Sequence, residues 1–177
     1  LQGVREEAGA DAIHAAAWRL AGADTVFAVG VRGCYPAAYY FHYACRLFSN
    51  NVVLAGGHGG GTFADQLRGI GPGDVMLAFS FAPYSLTTRR AAEYSHDHGA
   101  RVIAITASAV SPIARGADTQ VLVVRTVIPS FFQSVAPALG IAQALVMLMA
   151  AEGGEVALKA LQDSEEQLNG FDAYMVD

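Results

Sequence analysis

Asp74-Val75-Met76-Leu77-Ala78-Phe79-Ser80-Phe81-Ala82-Pro83-Tyr84-Ser85 is the stretch on which the fold turns. Val75 to Phe79 is an unbroken apolar run of strand length, and it stops abruptly at a hydroxyl residue. A tight turn containing Pro83 follows, and Ser85 to His98 then reads as a helix. A strand that feeds a turn opening a helix leaves backbone N–H groups unpaired at the helix start. With the hydroxyls of Ser80, Ser85, Thr87 and Thr88 around them, those groups form a natural anion cradle. The same Ser85 or Thr87 can also do no more than cap the helix.

The 177 residues suffice for one domain with a full core. Hydrophobic residues make up 53% and charged residues only 15%, which points to a sheet buried on both faces and to a subunit interface. No apolar run reaches the roughly 18 residues of a membrane helix. The most apolar segment, Val135 to Ala151, contains Pro137, Gly140 and Gln143 and reads as a buried or interface helix. Cys34 and Cys45 form no metal or disulfide framework, and no basic-then-apolar leader follows Leu1. The expected compartment is therefore a reducing cytoplasm. The net charge of −5 argues against this chain itself holding nucleic acid by phosphate neutralisation. It leaves room for a partner domain that does so, and a chain opening on Leu1 rather than Met reads as a piece of a longer one.

Working outward from the central strand, the same unit recurs. Residues 3–22 carry apolar side chains at helical spacing, with His14 and Trp18 together on one side. A first strand, Thr25 to Val29, ends in the turn Gly30-Val31-Arg32-Gly33-Cys34, and a helix follows over Pro36 to Phe48. A second strand, Val52 to Ala55, runs into Gly56-Gly57-His58-Gly59-Gly60-Gly61 and a short helix, Thr62 to Arg68. Gly71-Pro72-Gly73 turns the chain into the central strand. A fourth strand, Val102 to Ile105, ends at Thr106, with Ser108 and Ser111-Pro112 beyond it, and a fifth is Val121 to Val124. Two helices close the chain, Phe131 to Glu152 and Glu155 to Asn169. Short strands rich in valine and isoleucine, separated by helices, are the pattern of βαβ units. The expectation is an α/β fold: one three-layer αβα domain over residues 1–177, with a leading helix (1–22), a sheet core (23–125) and C-terminal helices (130–170).

Arg32, His58, Ser80, Thr106 and Ser108 all fall at the C-terminal ends of strands, where open α/β sheets bind their ligands. An anion-binding crevice is the reading this gathering favours. Ser80, Ser85 and Thr87 would hold the anionic group, Arg32 would assist with a bidentate guanidinium, Thr106 and Ser108 would line the other side, and His58 would stand beside them. Tyr84 either covers a ligand or packs on the neighbouring helix.

These residues resemble the SIS (sugar isomerase) domain, and within it the effector domain of RpiR-type bacterial transcription regulators, from about Ala10 to the C-terminus. The family's strand-turn-helix reads like Ser-x-Ser-Gly-x-Thr; here it is Ser80-Phe81-Ala82-Pro83-Tyr84-Ser85, with the outer hydroxyls kept and Ala82-Pro83 in place of Ser-Gly. Arg32 stands where a serine commonly follows the first strand. Gly71-Pro72-Gly73-Asp74-Val75, the stretch Thr106…Ser111-Pro112-Ile113-Ala114…Ala117-Asp118, and Phe171-Asp172-Ala173-Tyr174 complete the resemblance. It implies a doubly wound, flavodoxin-like sheet of five parallel strands. It also implies a non-catalytic sensor of a phosphorylated sugar or related small anion, with no cofactor or metal. The assembly would be a homodimer or tetramer that meets DNA only through a helix-turn-helix domain upstream of Leu1, with no membrane contact. The apolar helix 135–151 and the tyrosine-rich helix 36–48 are the expected interface surfaces.

Two other functions fit the residues. Some SIS proteins are aldose–ketose phosphate isomerases, which need a positioned base. His58 is the best candidate for one; Glu93, His96 and His98 lie in the far half of their helix, and His42 sits among tyrosines. Cys34 is near a helix start, where a thiol pKa can fall, yet it has no evident partner. The remaining alternative is a structural dimerisation module with a degenerate pocket, which Ala82-Pro83 and Arg32 support.

Overall fold

The computed structural model describes residues 9–56, 62–116, 119–126 and 133–173. His58 with most of its glycine-rich loop, Ala117-Asp118, Tyr174 and the start of the leading helix lie outside the described residues. The strands are β1 (Val26–Gly30), β2 (Val52–Ala55), β3 (Val75–Phe79), β4 (Arg101–Thr106) and β5 (Gln120–Val123). They form one five-stranded sheet in the order β2-β1-β3-β4-β5, with every pair parallel. The helices are α1 (Ala10–Ala21), α2 (Tyr35–Cys45), α3 (Leu86–Asp97), α4 (Ala136–Glu152) and α5 (Gly154–Gly170). The expected doubly wound α/β sheet is therefore what the chain forms.

Side chains alternate faces along a strand, and the three inner strands sort the core accordingly. Val26, Ala28, Leu77, Phe79, Ile103 and Ile105 pack on one face with residues of α1, α2 and α4. Phe27, Val29, Met76, Ala78, Val102 and Ala104 pack on the other with Ala91 and Ala92 of α3. Every residue of β1 and β3 is buried, which is why these strands are continuously apolar rather than alternating. Small residues at the helix contacts (Ala16, Ala17, Ala37, Ala38, Ala138 and Ala142) let α1, α2 and α4 lie close together over one face.

Local chemistry sets the element ends. Before β3, Asp74 Oδ2 accepts from Gly71 N at 2.9 Å and Asp74 N donates to Gly71 O at 3.1 Å, closing the turn. The expected helix 62–68 is only a 3₁₀ turn, Ala64–Leu67. The helix expected to begin at Phe131 is described from Ala136, with Pro137 in its first turn, where its missing N–H costs nothing. Among the described residues no single helix is long and apolar enough to cross a membrane. The pair α4–α5 passes that test only when joined, and it is bent by 113°.

Leu77 lies at the middle of the sheet and is fully buried, whereas Val53, on edge strand β2, is 36% exposed. Leu77→Ala should therefore destabilise the fold by about 2–5 kcal/mol in urea unfolding, and Val53→Ala by less than about 1 kcal/mol. His42 on α2 supplies a second check. Burial, and after it the Arg46 charge, push its imidazole below the ordinary 6.5, so the fold favours the neutral ring. A depressed folded pKa gives stability that is present above 6.5 and lost as pH falls below it. The melting temperature should drop more steeply from pH 7 to 5 in the wild type than in His42→Gln; equal slopes would refute the assignment.

Candidate functional site

The parallel register aligns Gly30 at the end of β1 with Phe79 at the end of β3. These strands are where the sheet's winding reverses, the position at which doubly wound folds open a crevice. After β1 the chain makes a 3₁₀ turn, Arg32–Cys34. The turn folds back so tightly that a Cβ on Gly30 would stand 2.6 Å from the Cys34 carbonyl oxygen. Arg32 itself takes a left-handed backbone, φ 54°, which costs a non-glycine residue about 1 kcal/mol. After β3, Ser80 N donates to Ile105 O at 3.1 Å, and the chain passes a cis Ala82–Pro83 bond to reach α3.

Between these turns lies a cavity of about 470 Å³. Arg32, Ser80, Ser85 and Thr88 contribute its polar walls, Val31, Phe79, Phe81 and Val135 its apolar ones, and Cys34, Gln133 and Ser134 complete the rim. Arg32 is exposed and, among the described residues, supplies the only cationic side chain of this lining, with no Asp or Glu beside it. The site is thus electropositive at its mouth and receives the N-terminus of α3, a combination suited to a small anion. Gln133 Nε2 donates to Ala82 O and ties the segment before α4 to the turn.

Ser85 is the N-cap of α3: its side-chain oxygen accepts from Thr88 N at 3.3 Å. Its own O–H proton remains available to a ligand. Ser80 is 2% exposed and lines the cavity. Thr88 is fully buried and its Oγ1 has no partner.

Of the expected site residues, the fold brings Arg32, Ser80 and Ser85 together. Thr87 does not join them. It points to a separate hollow shared with Phe63, Leu67, Arg90 and Tyr94, because α3 turns Thr88, Ala91, Ala92 and Ser95 inward. Thr106 does not line the cavity either: it continues Val102 and Ala104 onto the α3 face, fully buried, with an unpartnered Oγ1. Ser108 accepts from Val110 N at 3.3 Å in its own loop. Tyr84 is half-buried and absent from the lining. Of the side chains weighed as bases, Glu93 lies 3.3 Å from Arg89, and His98 bonds Tyr94 O at 2.8 Å while stacking on its ring. His96 packs beside Gly116.

Cys34 lines the cavity near the start of α2, yet its thiol is pushed up, not down. Burial raises it, and a hydrogen bond with the Phe81 backbone only partly offsets that. Burial drives Cys45 up to about 12. Among the described residues no group of three His, Cys, Asp or Glu side chains is placed to hold a metal.

A family model of the SIS domain matches residues 19–151. Among solved structures, the chain is similar to the sugar isomerase domain of an RpiR transcription factor from Sphaerobacter thermophilus. That likeness has 26% identity and a TM-score of 0.84, over 94% of this chain and 92% of that one. The Vibrio vulnificus NanR protein complexed with ManNAc-6P shares the fold at 16% identity and a TM-score of 0.79; the match covers 98% of this chain but 66% of that one. A Silicibacter pomeroyi DSS-3 protein provisionally described as a phosphosugar isomerase shares it at 20% identity and a TM-score of 0.63, over 93% and 51%. No curated protein matches the chain.

Ser85→Ala removes the cap of α3 and should lower unfolding free energy by about 1 kcal/mol, while Ser80→Ala should change it by less than half of that. Cys34 should react with a thiol reagent at pH 7 more slowly than a model peptide thiol, and Cys45 only on unfolding. Rapid labelling of the native protein would contradict this account of the cavity wall.

Proposed function

We propose that this chain, which belongs to the SIS domain family, is the sensing domain of an RpiR-type transcription regulator and that its ligand is a phosphorylated sugar. The observation that carries the reading is the cavity at the β1/β3 reversal. Hydroxyls and a helix start form its inner end, Arg32 stands at its mouth, and among the described residues no carboxylate opposes an anion there. Arg32 supports it further. A charged residue held at φ 54°, where glycine would sit without strain, is best explained by what its guanidinium does. The NanR structure, with its bound ManNAc-6P, supports the ligand class.

The reading is of a sensor rather than an isomerase. Moving a proton between sugar carbons needs a base beside the substrate, and the lining offers no Asp, Glu or His among the described residues. Signal transmission would run through subunit contacts to a DNA-binding domain outside this chain. The exposed aromatics Trp18, Tyr39 and Tyr43, and an α4 that is apolar nearly all round with Met147 65% exposed, are the surfaces that suit a second copy. A ligand can shift that assembly only by binding its two arrangements unequally.

In thermal-shift measurements, sugar phosphates at 100 times their dissociation constant should stabilise the chain by about 2.7 kcal/mol, and the unphosphorylated sugars should not. Arg32→Gly separates function from fold: it should lose the shift while leaving the unliganded melting temperature equal or higher. Turnover of an aldose or ketose phosphate would favour the isomerase instead. No shift with any sugar phosphate would leave the dimerisation module.

A further inference from the structure

We infer that Thr88 is a ligand-binding, specificity-determining residue whose hydroxyl donates to an oxyanion of the ligand at the buried end of the cavity. The inference rests on the anion-sensing reading of the same cavity and assigns its innermost donor.

Thr88 and Ser95 are the fully buried hydroxyl residues of α3, and they differ in one respect. Ser95 Oγ donates to Ala91 O, four residues back, at 2.8 Å, the usual arrangement of a hydroxyl inside a helix. Thr88 cannot copy it. It is the third residue of the helix, so the residue four back is Tyr84, which precedes the Ser85 cap and lies outside the helix. Thr88 N is engaged by Ser85 Oγ, but Thr88 Oγ1 is left with no partner although its residue has no exposed surface. Buried polar groups are almost always paired, so an orphan in a cavity wall marks a partner that arrives from elsewhere.

The cavity defines that partner. Thr88 shares the lining with Ser80 and Ser85, and the only charged side chain there among the described residues is the cationic Arg32. The incoming group must therefore accept hydrogen bonds and carry negative charge, as a phosphate does. A buried donor also rejects ligands that bring no acceptor to it, since binding them would seal it unpaired. Thr88 thus selects for the anionic group, while Arg32 at the exposed mouth attracts anions generally.

The test uses the intact chain with inorganic phosphate and a hexose 6-phosphate as probes, in calorimetric titration and thermal melting. Thr88→Val keeps the branched shape and deletes only the hydroxyl; Thr88→Ser keeps the hydroxyl. The expected result is a dissociation constant about tenfold higher or more in the Val variant for both probes, near wild-type binding in the Ser variant, and an unliganded Val variant that melts at or above the wild type. Equal constants in wild type and Val overturn the inference while leaving the sensing reading intact. So does a Val variant that unfolds or melts several degrees lower, because the hydroxyl then serves the fold. Wild type that binds neither probe overturns the sensing reading, and this inference with it.

Discussion

The register of the parallel pair β1–β3 is the constraint on which the site depends. Val26 opposite Val75 and Gly30 opposite Phe79 bring both strands to their ends at the same level. Two independent turns, one carrying Arg32 and the other Ser80 to Ser85, then face each other across the reversal. A register slip of one residue would turn Phe79 and its neighbours toward the wrong layer. The all-buried strands forbid it, since both faces are committed to helices. The core thus fixes the geometry of a site to which it contributes almost no polar atom.

Within that frame, the site is built from strain and unmet hydrogen bonding. Arg32 holds an unfavourable backbone, and Thr88 Oγ1 is buried without a partner. An unpaired buried hydroxyl costs roughly 1–3 kcal/mol. Both defects sit in one cavity wall, and on the proposed reading a bound oxyanion would relieve the second while using the first. Thr106 and Ser111 carry similarly unpartnered buried hydroxyls outside the cavity lining. On the proposed reading, a ligand would supply stability that the fold alone withholds, which is the energetic form a sensor needs: two states separated by what the ligand supplies.

The sheet was readable from the sequence because its strands are short, β-branched and separated by helices, and parallel strands buried on both faces carry no competing periodicity. Helix ends were less readable. The segment 64–67 has a helical composition but closes only a 3₁₀ turn. That Arg32, Ser80 and Ser85 share one cavity was accessible to sequence reasoning because strand ends and N-caps are local features. The choice of Thr87 over Thr88 needed the rotation of α3, which the small residues Ala91, Ala92 and Ser95 encode at helical spacing. Thr106 lies outside the cavity lining because the strand's alternation carries it under α3, a matter of face rather than of strand end. Gln133, Ser134 and Val135 reach the cavity only through the return of the chain ahead of α4, and no local pattern announces that contact.

The most direct measurement is amide chemical-shift mapping of the isotope-labelled chain during titration with a hexose 6-phosphate. Saturable shifts should gather on Arg32 to Cys34, Ser80 to Ala82, Ser85 and Thr88, whose residues line the cavity. Shifts gathered instead around Phe63, Arg90 and Tyr94, on the opposite side of α3, would contradict that placement.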